Sequence, residues 1–365
     1  MTLHFYFARK FAYAVGMVFV LFGVLLTMLD LVDQLRRFDG SDITFTGALG
    51  LSLLSVPQTL YAILPLIVIL ATLVLFLGLA RTSEMVVTRA AGRSALRSLV
   101  APGLTALGIG IFAVTVFNPI VAATQKQYEQ KANAYRNDGS SVLSISDEGL
   151  WLRQGGPEGQ TVIRAVGTNL EGTSFTGVTF ITFAPEGGPV QRIEAKTAAL
   201  VPGEWQLTGA KVWPLKDTPN PERAAVLHAE MTLPSTLTRD QIRDSFGTPS
   251  AIPIWELPAF ITSLDTAGFS ARQHRVWLQM QLAMPLFLAA MVMIGAGFTM
   301  RHTRFGRTGL MVLLALMLGL GAYFIRNFAQ ILGENGQIPI ILAAWSPPIA
   351  TILLSLGLLL HLEDG

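Results

Sequence analysis

Six long apolar runs punctuate the chain, three before residue 121 and three after residue 270. They are Phe11–Leu31, Ser55–Ala80, Ser98–Phe117, Trp277–Thr299, Thr308–Gln330 and Ile338–Leu360. About 20 consecutive apolar residues suffice for a helix to cross a bilayer core, so each run predicts one span. The first reads as an uncleaved span rather than a signal peptide. It is long, lacks a small-residue cleavage site and runs into Asp30 and Asp33. Residues 121–270 carry a different rhythm. Gln125–Ala134 continues the third span as a polar helix. Then come short β-type runs broken by Gly, Pro, Asn and Asp: Ser141–Ser146, Leu150–Arg153, Thr161–Val166, Gly177–Phe183, Gln191–Leu200, Trp205–Lys211 and Ala225–Leu233. Such spacing predicts an antiparallel sandwich or roll rather than βαβ units. Thr238–Phe246 and Ile254–Ala267 read as helices returning to the membrane, with Pro258 starting or kinking the second. The pattern leaves open whether the β domain is packed solid or holds an apolar ligand.

The fold class is therefore a polytopic α-helical membrane protein, six spans as three plus three, with an inserted all-β domain. Its expected parts are residues 1–135, 136–250 and 251–365. Charged residues are only 14% and mean hydropathy is +0.50, against about 25% charged in soluble domains. The net charge of +2 gives no reason to expect a nucleic-acid partner, and the absence of cysteine excludes disulfides and thiolate metal sites. Lys and Arg concentrate on cytoplasmic loops. Arg9 and Lys10, the group Arg81, Arg89, Arg93 and Arg97, and the group Arg301, Arg304 and Arg307 all fall on one side of a six-span chain. Both ends should thus be cytoplasmic and the insertion extracytoplasmic.

Little in the sequence suggests catalysis or a metal. Gly-Lys-Ser/Thr, His-Glu-x-x-His and Gly-x-Ser-x-Gly are all missing, and the five histidines are scattered. Any ATP used must be hydrolysed by another subunit. Intramembrane charge usually marks function, and here it is limited to Asp30 and Arg326. Both have two readings, solvation or structural pairing against contact with a polar head group. Arg36 and Arg37 after the first span, with Lys126, Lys131 and Arg136 after the third, form either a cationic rim or ordinary helix-end anchors. Arg81–Gly92 predicts a short amphipathic helix. Thr82 or Ser83 would cap it, Glu84 would sit in its first turn, Met85, Val86 and Ala90 would form its apolar face, and Gly92 would end it. It either receives a partner or lies on the membrane surface. The pairs Gly108/Gly110, Gly295/Gly297 and Gly319/Gly321 mark close helix approach, within the chain or to another subunit.

The motifs Asp30-Leu-Val-Asp-Gln-Leu-Arg-Arg37, Leu54-Ser-Val-Pro57, Leu79–Gly92 and Glu148-Gly-Leu-Trp-Leu-Arg153, with Ala343-Ala-Trp-Ser-Pro347 as a weaker match, resemble the LptF/LptG permeases of lipopolysaccharide export. Val-Asp-Gln-Leu and Leu-Ser-Val-Pro favour the LptG branch. The resemblance covers the whole chain. It implies a jellyroll-like periplasmic β domain, a paired LptF-like permease, an LptB-like ATPase dimer carrying ATP and Mg, and an LptC/LptA-like periplasmic bridge. The chain itself would be a non-catalytic inner-membrane subunit without a cofactor. The resemblance assigns ATPase coupling to Arg81, Ser83, Glu84, Met85, Arg89 and Gly92, with Glu84 central. It assigns lipopolysaccharide contact to Arg36, Arg37 and Arg136, which we extend to Asp30 and Arg326. Asp30 departs from the family pattern, where a lysine can stand. The competing reading is a membrane-anchored adaptor whose β domain binds envelope proteins without transport.

Overall fold

The computed structural model describes residues 2–38, 44–90, 94–136, 143–146, 149–156, 159–168, 173–185, 188–216, 218–235, 237, 248–266, 270–300 and 308–363. The chain divides into two compact units. The membrane unit holds Met1–Asn137, Ser250–Trp255 and Arg272–Gly365; the β unit holds Asp138–Pro249 and Glu256–Ala271. The segment Glu256–Ala271, expected in the C-terminal membrane part, thus groups with the β strands. Thr238–Phe246, expected as a helix, lies outside the described residues.

The membrane unit begins with α1 (Thr2–Arg37). At about 1.5 Å per residue it is about 54 Å long and outruns a bilayer core of about 30 Å. The second predicted span proves to be two helices, α2 (Phe45–Ala62) and α3 (Leu64–Arg81), of which α3 is the membrane-crossing one. The reason is Pro65, which cannot donate to the Tyr61 carbonyl; the helix breaks at Ile63. Thr44 opens α2 by accepting from the Gly47 amide at 3.2 Å. Ser83, at φ 60°, turns the chain from α3 into α4 (Glu84–Ala90).

The third span is continuous through α5 (Ala95–Phe112), a π-helical turn at Ala113–Phe117 and α6 (Asn118–Arg136). Pro119 explains the irregular turn, since it has no N–H for the Thr115 carbonyl. That carbonyl is instead satisfied by the Trp255 indole at 3.1 Å, while the Asn118 side chain accepts from the Ile254 amide at 2.9 Å. Gln58 donates to Ser250 at 3.1 Å. Residues Ser250–Trp255 are therefore a strap pinned onto α2 and the third span.

The last three spans are α8 (Arg272–Thr299), α9 (Thr308–Glu334) and α10 (Ile340–Glu363), after a short α7 (Leu257–Thr266) in the β unit with Pro258 in its first turn. The hub of the bundle is α8, which packs on α3, α5, α9 and α10 and buries Val276, Met280, Met284, Phe287, Met291 and Ile294. Arg272 ties its first turn to the turn between α9 and α10, donating to the carbonyls of Gly333 and Ile338 at 2.6 and 2.7 Å. Of the predicted small-residue positions, Gly110 faces Pro285, Gly295 faces Thr72, Gly297 faces Leu358 and Gly319 faces Ile69, all within the chain; Gly108 and Gly321 face open space. The flanks of α1 and α9 stay apolar and exposed, among them Met17, Leu21, Leu25, Leu313, Met317 and Phe324.

Among the described residues the β unit is one antiparallel sheet of eight strands: β1 (Leu143–Ser146), β2 (Gly149–Gly156), β3 (Gly159–Ala165), β4 (Gly167–Thr168), β5 (Ser174–Phe183), β6 (Pro189–Val201), β7 (Glu204–Pro214) and β8 (Val226–Pro234). Neighbours follow chain order except that β4 pairs only with β5, leaving β3 beside β5. The sheet rolls. Gln154 on β2 accepts from the Trp205 indole on β7 at 3.2 Å and donates to the Pro234 carbonyl at 2.9 Å, although β2 is no ladder neighbour of β7 or β8. Bending is concentrated where regular pairing lapses across three strands, at Gly177, Lys196 and Gly209. Both glycines have positive φ, 61° and 65°, which larger residues avoid. The concave face is filled by Phe175, Phe180 and Trp205, each no more than 1% exposed, with ring centroids 5.4 and 5.7 Å apart.

Candidate functional site

Two polar clusters stand at opposite ends of α1. At its N-terminal end the Glu84 carboxylate is bound three ways. Lys10 donates to its two oxygens at 2.8 and 3.1 Å, Tyr6 to one at 2.9 Å, and Thr82 to the other at 2.9 Å. The Lys10 ammonium also lies over the Tyr6 ring, 4.6 Å from its centroid. Partial burial pushes the Glu84 carboxyl up, but the hydrogen bonds from Lys10, Tyr6 and Thr82 and the Lys10 charge outweigh it. The net pKa lies below the ordinary carboxylate value, so Glu84 is charged at neutral pH. Thr82 thus serves Glu84 rather than capping α4; the Ser83 carbonyl accepts from the amides of Val86 and Val87.

The faces of α4 differ from the expected ones. Met85 and Thr88, three residues apart, turn inward, and Val86 and Val87 are 51% and 68% exposed. Ala90 is exposed with them, and Arg81 and Ser83 are exposed just before the helix. In so short a helix the residues adjoining α3 must face the bundle, which removes Met85 from the outer surface. Gly92 and the Arg89 side chain lie outside the described residues.

At the other end of α1, Asp30 accepts from Ser55 of α2 at 2.6 Å and from Gln34 at 3.3 Å. The buried Gln34 amide also meets the Tyr128 hydroxyl of α6 at 3.2 Å. Arg37 donates to the same hydroxyl at 3.2 Å and pairs with Asp33 at 3.7 Å. Phe38, Leu51 and Ala132 close the junction, with Tyr128 and Tyr135 against them. Arg37 therefore joins α1 to α6 through Tyr128, while Arg36 stands exposed beside it on α1, and Lys126 and Lys131 are exposed on α6. The Arg136 backbone ends α6; its side chain lies outside the described residues. Asp30 is a joint between α1 and α2, which is the physical reason an acidic residue fits beside a basic rim. We expect Asp30→Asn, which still accepts from Ser55, to retain nearly all stability. Asp30→Leu removes both bonds, leaving Ser55 to the Ser52 carbonyl and Gln34 to Tyr128, and should cost about 1 kcal/mol; thermal unfolding in detergent separates the two.

Arg326 lies elsewhere. It is only 8% exposed, and its guanidinium is 5.6 Å from the Phe287 ring centroid on α8. Phe287 is mid-helix, so the arginine reaches into the bundle instead of snorkelling outward. Nearby, the Tyr61 hydroxyl donates to Gln281 of α8, and the Tyr61 ring lies tilted against Phe117, with centroids 5.8 Å apart.

Sequence reasoning missed Tyr6, Lys10, Gln34, Ser55, Tyr128 and Trp255. The available signals were the four-residue spacing of Tyr6 and Lys10, which shares a helix face, and the orphaned Thr115 carbonyl before Pro119.

Six candidate spans with an antiparallel β unit inserted between the third and fourth define a polytopic membrane protein. The comparisons identify which kind. The family model for the lipopolysaccharide export system permease LptF/LptG matches residues 5–361, and the chain belongs to that family. It is 26% identical over 343 residues to the lipopolysaccharide export system permease protein LptG of Escherichia coli K12, covering 90% of each chain. To the protein of the same name in Haemophilus influenzae it is 22% identical over 356 residues, covering 94% of this chain and 96% of that one. Membership and six spans make it an inner-membrane protein that serves lipopolysaccharide export.

Proposed function

We propose that the chain is the LptG-type half of an ATP-driven permease, paired with an LptF-like subunit, that lifts lipopolysaccharide from the periplasmic leaflet and passes it to an LptC/LptA-like bridge. ATP and Mg are bound by an LptB-like ATPase dimer, and this chain contributes no catalysis and no cofactor. Both termini and α4 face the cytoplasm; the β unit is periplasmic and receives the lipid. The observation that carries this reading is α4, whose Val86 and Val87 stand exposed at the Lys10 end of α1. That is the end marked cytoplasmic by the arginine-rich loops.

The lipid requires such help. Pulling acyl chains from the bilayer forfeits about 0.8 kcal/mol per CH₂ exposed, more than a passive carrier supplies. Apolar flanks on α1 and α9 offer the chains a surface, and Arg36 and Arg37 offer the head group charge-assisted hydrogen bonds. Purification in mild detergent is expected to yield a second six-span permease and a Walker-containing ATPase. Val86→Asp/Val87→Asp is expected to release the ATPase while the two permeases stay paired. Purification of the unaltered chain without either partner would refute the reading.

A further inference from the structure

The sequence resemblance casts Glu84 as a contact to the ATPase, yet its carboxylate is turned toward its own chain and is already bound by Lys10, Tyr6 and Thr82. We propose that Tyr6 and Lys10 are positioning residues which, with Glu84, form a clamp that passes displacement of α4 to α1. The inference rests on the reading of the chain as an ATPase-driven permease subunit.

Three observations support it. First, the clamp joins elements 74 and 78 residues apart, and both α1 donors come from one face of the helix. Lys10 bridges the two carboxylate oxygens while stacking on Tyr6, so the three side chains form one unit rather than a loose pair. Second, α4 has few other attachments among the described residues. It is seven residues long, and its inward anchors are Met85 and Thr88. A partner pressing on Val86 and Val87 would move Glu84 with the helix. Third, α1 is suited to carry the movement. It is one unbroken helix from the clamp to Arg36 and Arg37. It packs on α2, α3 and α5 and leaves its other flank exposed. A shift at Lys10 would thus reach the rim at the far end without rearranging the hub helix α8.

The test uses the full complex in proteoliposomes carrying lipopolysaccharide. It measures lipid released per ATP hydrolysed, with ATPase retention in a detergent pull-down alongside. Lys10→Met keeps the aliphatic stem, and Tyr6→Phe keeps the ring. Both are expected to retain the ATPase and to lower lipid released per ATP by at least roughly fivefold, the lower end of typical coupling between sites. The charge swap Lys10→Glu/Glu84→Lys should recover much of the loss shown by either single change. Unchanged lipid per ATP in Lys10→Met and Tyr6→Phe would overturn the clamp. So would loss of the ATPase from both variants, which would make the cluster a docking support. If the unaltered complex releases no lipid with ATP, the functional reading falls and the clamp with it; normal release by the unaltered complex confines any failure to the clamp.

Discussion

Gly110→Ala is expected to lower the thermal unfolding midpoint of the detergent-solubilised chain by about 5 °C, whereas Gly108→Ala should leave it unchanged or raise it slightly. The two positions lie on the same helix, two residues apart. A Cβ at Gly110 would fall on the backbone of Pro285 in α8, within 3.1 Å of its nitrogen and closer to its Cα. Backbone atoms cannot swing aside as a side-chain tip does, so α5 and α8 must separate. Because α8 also packs on α3, α9 and α10, the displacement spreads through the bundle; overpacking of this kind costs about 1–3 kcal/mol. Gly108 meets nothing within 4 Å, and alanine there gains about 0.5–1 kcal/mol of helix preference. Equal shifts for the two variants would show that α5 and α8 are not in the described contact.

The same contrast explains what was legible in the sequence. Apolar length exposed the spans, because a bilayer imposes it. Short β-type runs bounded by Gly, Pro, Asn and Asp exposed every strand from β1 to β8 except the two-residue β4, because turns between antiparallel strands demand those residues. Less visible was anything decided by a single backbone donor. Pro65 splits the predicted second span, and Pro119 creates the vacancy that Trp255 fills, yet neither effect alters hydropathy. Least visible were bonds between distant segments. Glu84 stood out within its motif, but its partners Tyr6 and Lys10 lie just ahead of the first apolar run, where a lysine reads as a topology signal. Asp30 looked anomalous beside a basic rim until Ser55 and Gln34 supplied its partners. The strand spacing predicted a sandwich or roll, but not the bond that links β2 to β7, since Gln154 and Trp205 meet only after the strands between them have bent.

Reversal of both rim charges, Arg36→Glu/Arg37→Glu, is expected to weaken lipopolysaccharide binding by the permease pair roughly tenfold or more at low salt. Its effect should fall as salt is raised. The two arginines are not equivalent. Arg37 is already held by the Tyr128 hydroxyl and by Asp33, so part of its charge is committed to joining α1 to α6. Arg36 is exposed on the same turn and should carry more of the lipid contact. Arg36→Gln alone should therefore produce most of the loss of affinity with little change in stability. Arg37→Gln should shift the unfolding midpoint as well, because it also removes the Tyr128 bond. Photo-crosslinking from position 36 distinguishes these effects directly. A lipid adduct there that is lost in Arg37→Gln but persists in the presence of competing salt would mean that α1 is held in place for the lipid by its joint to α6, rather than drawn to it by charge.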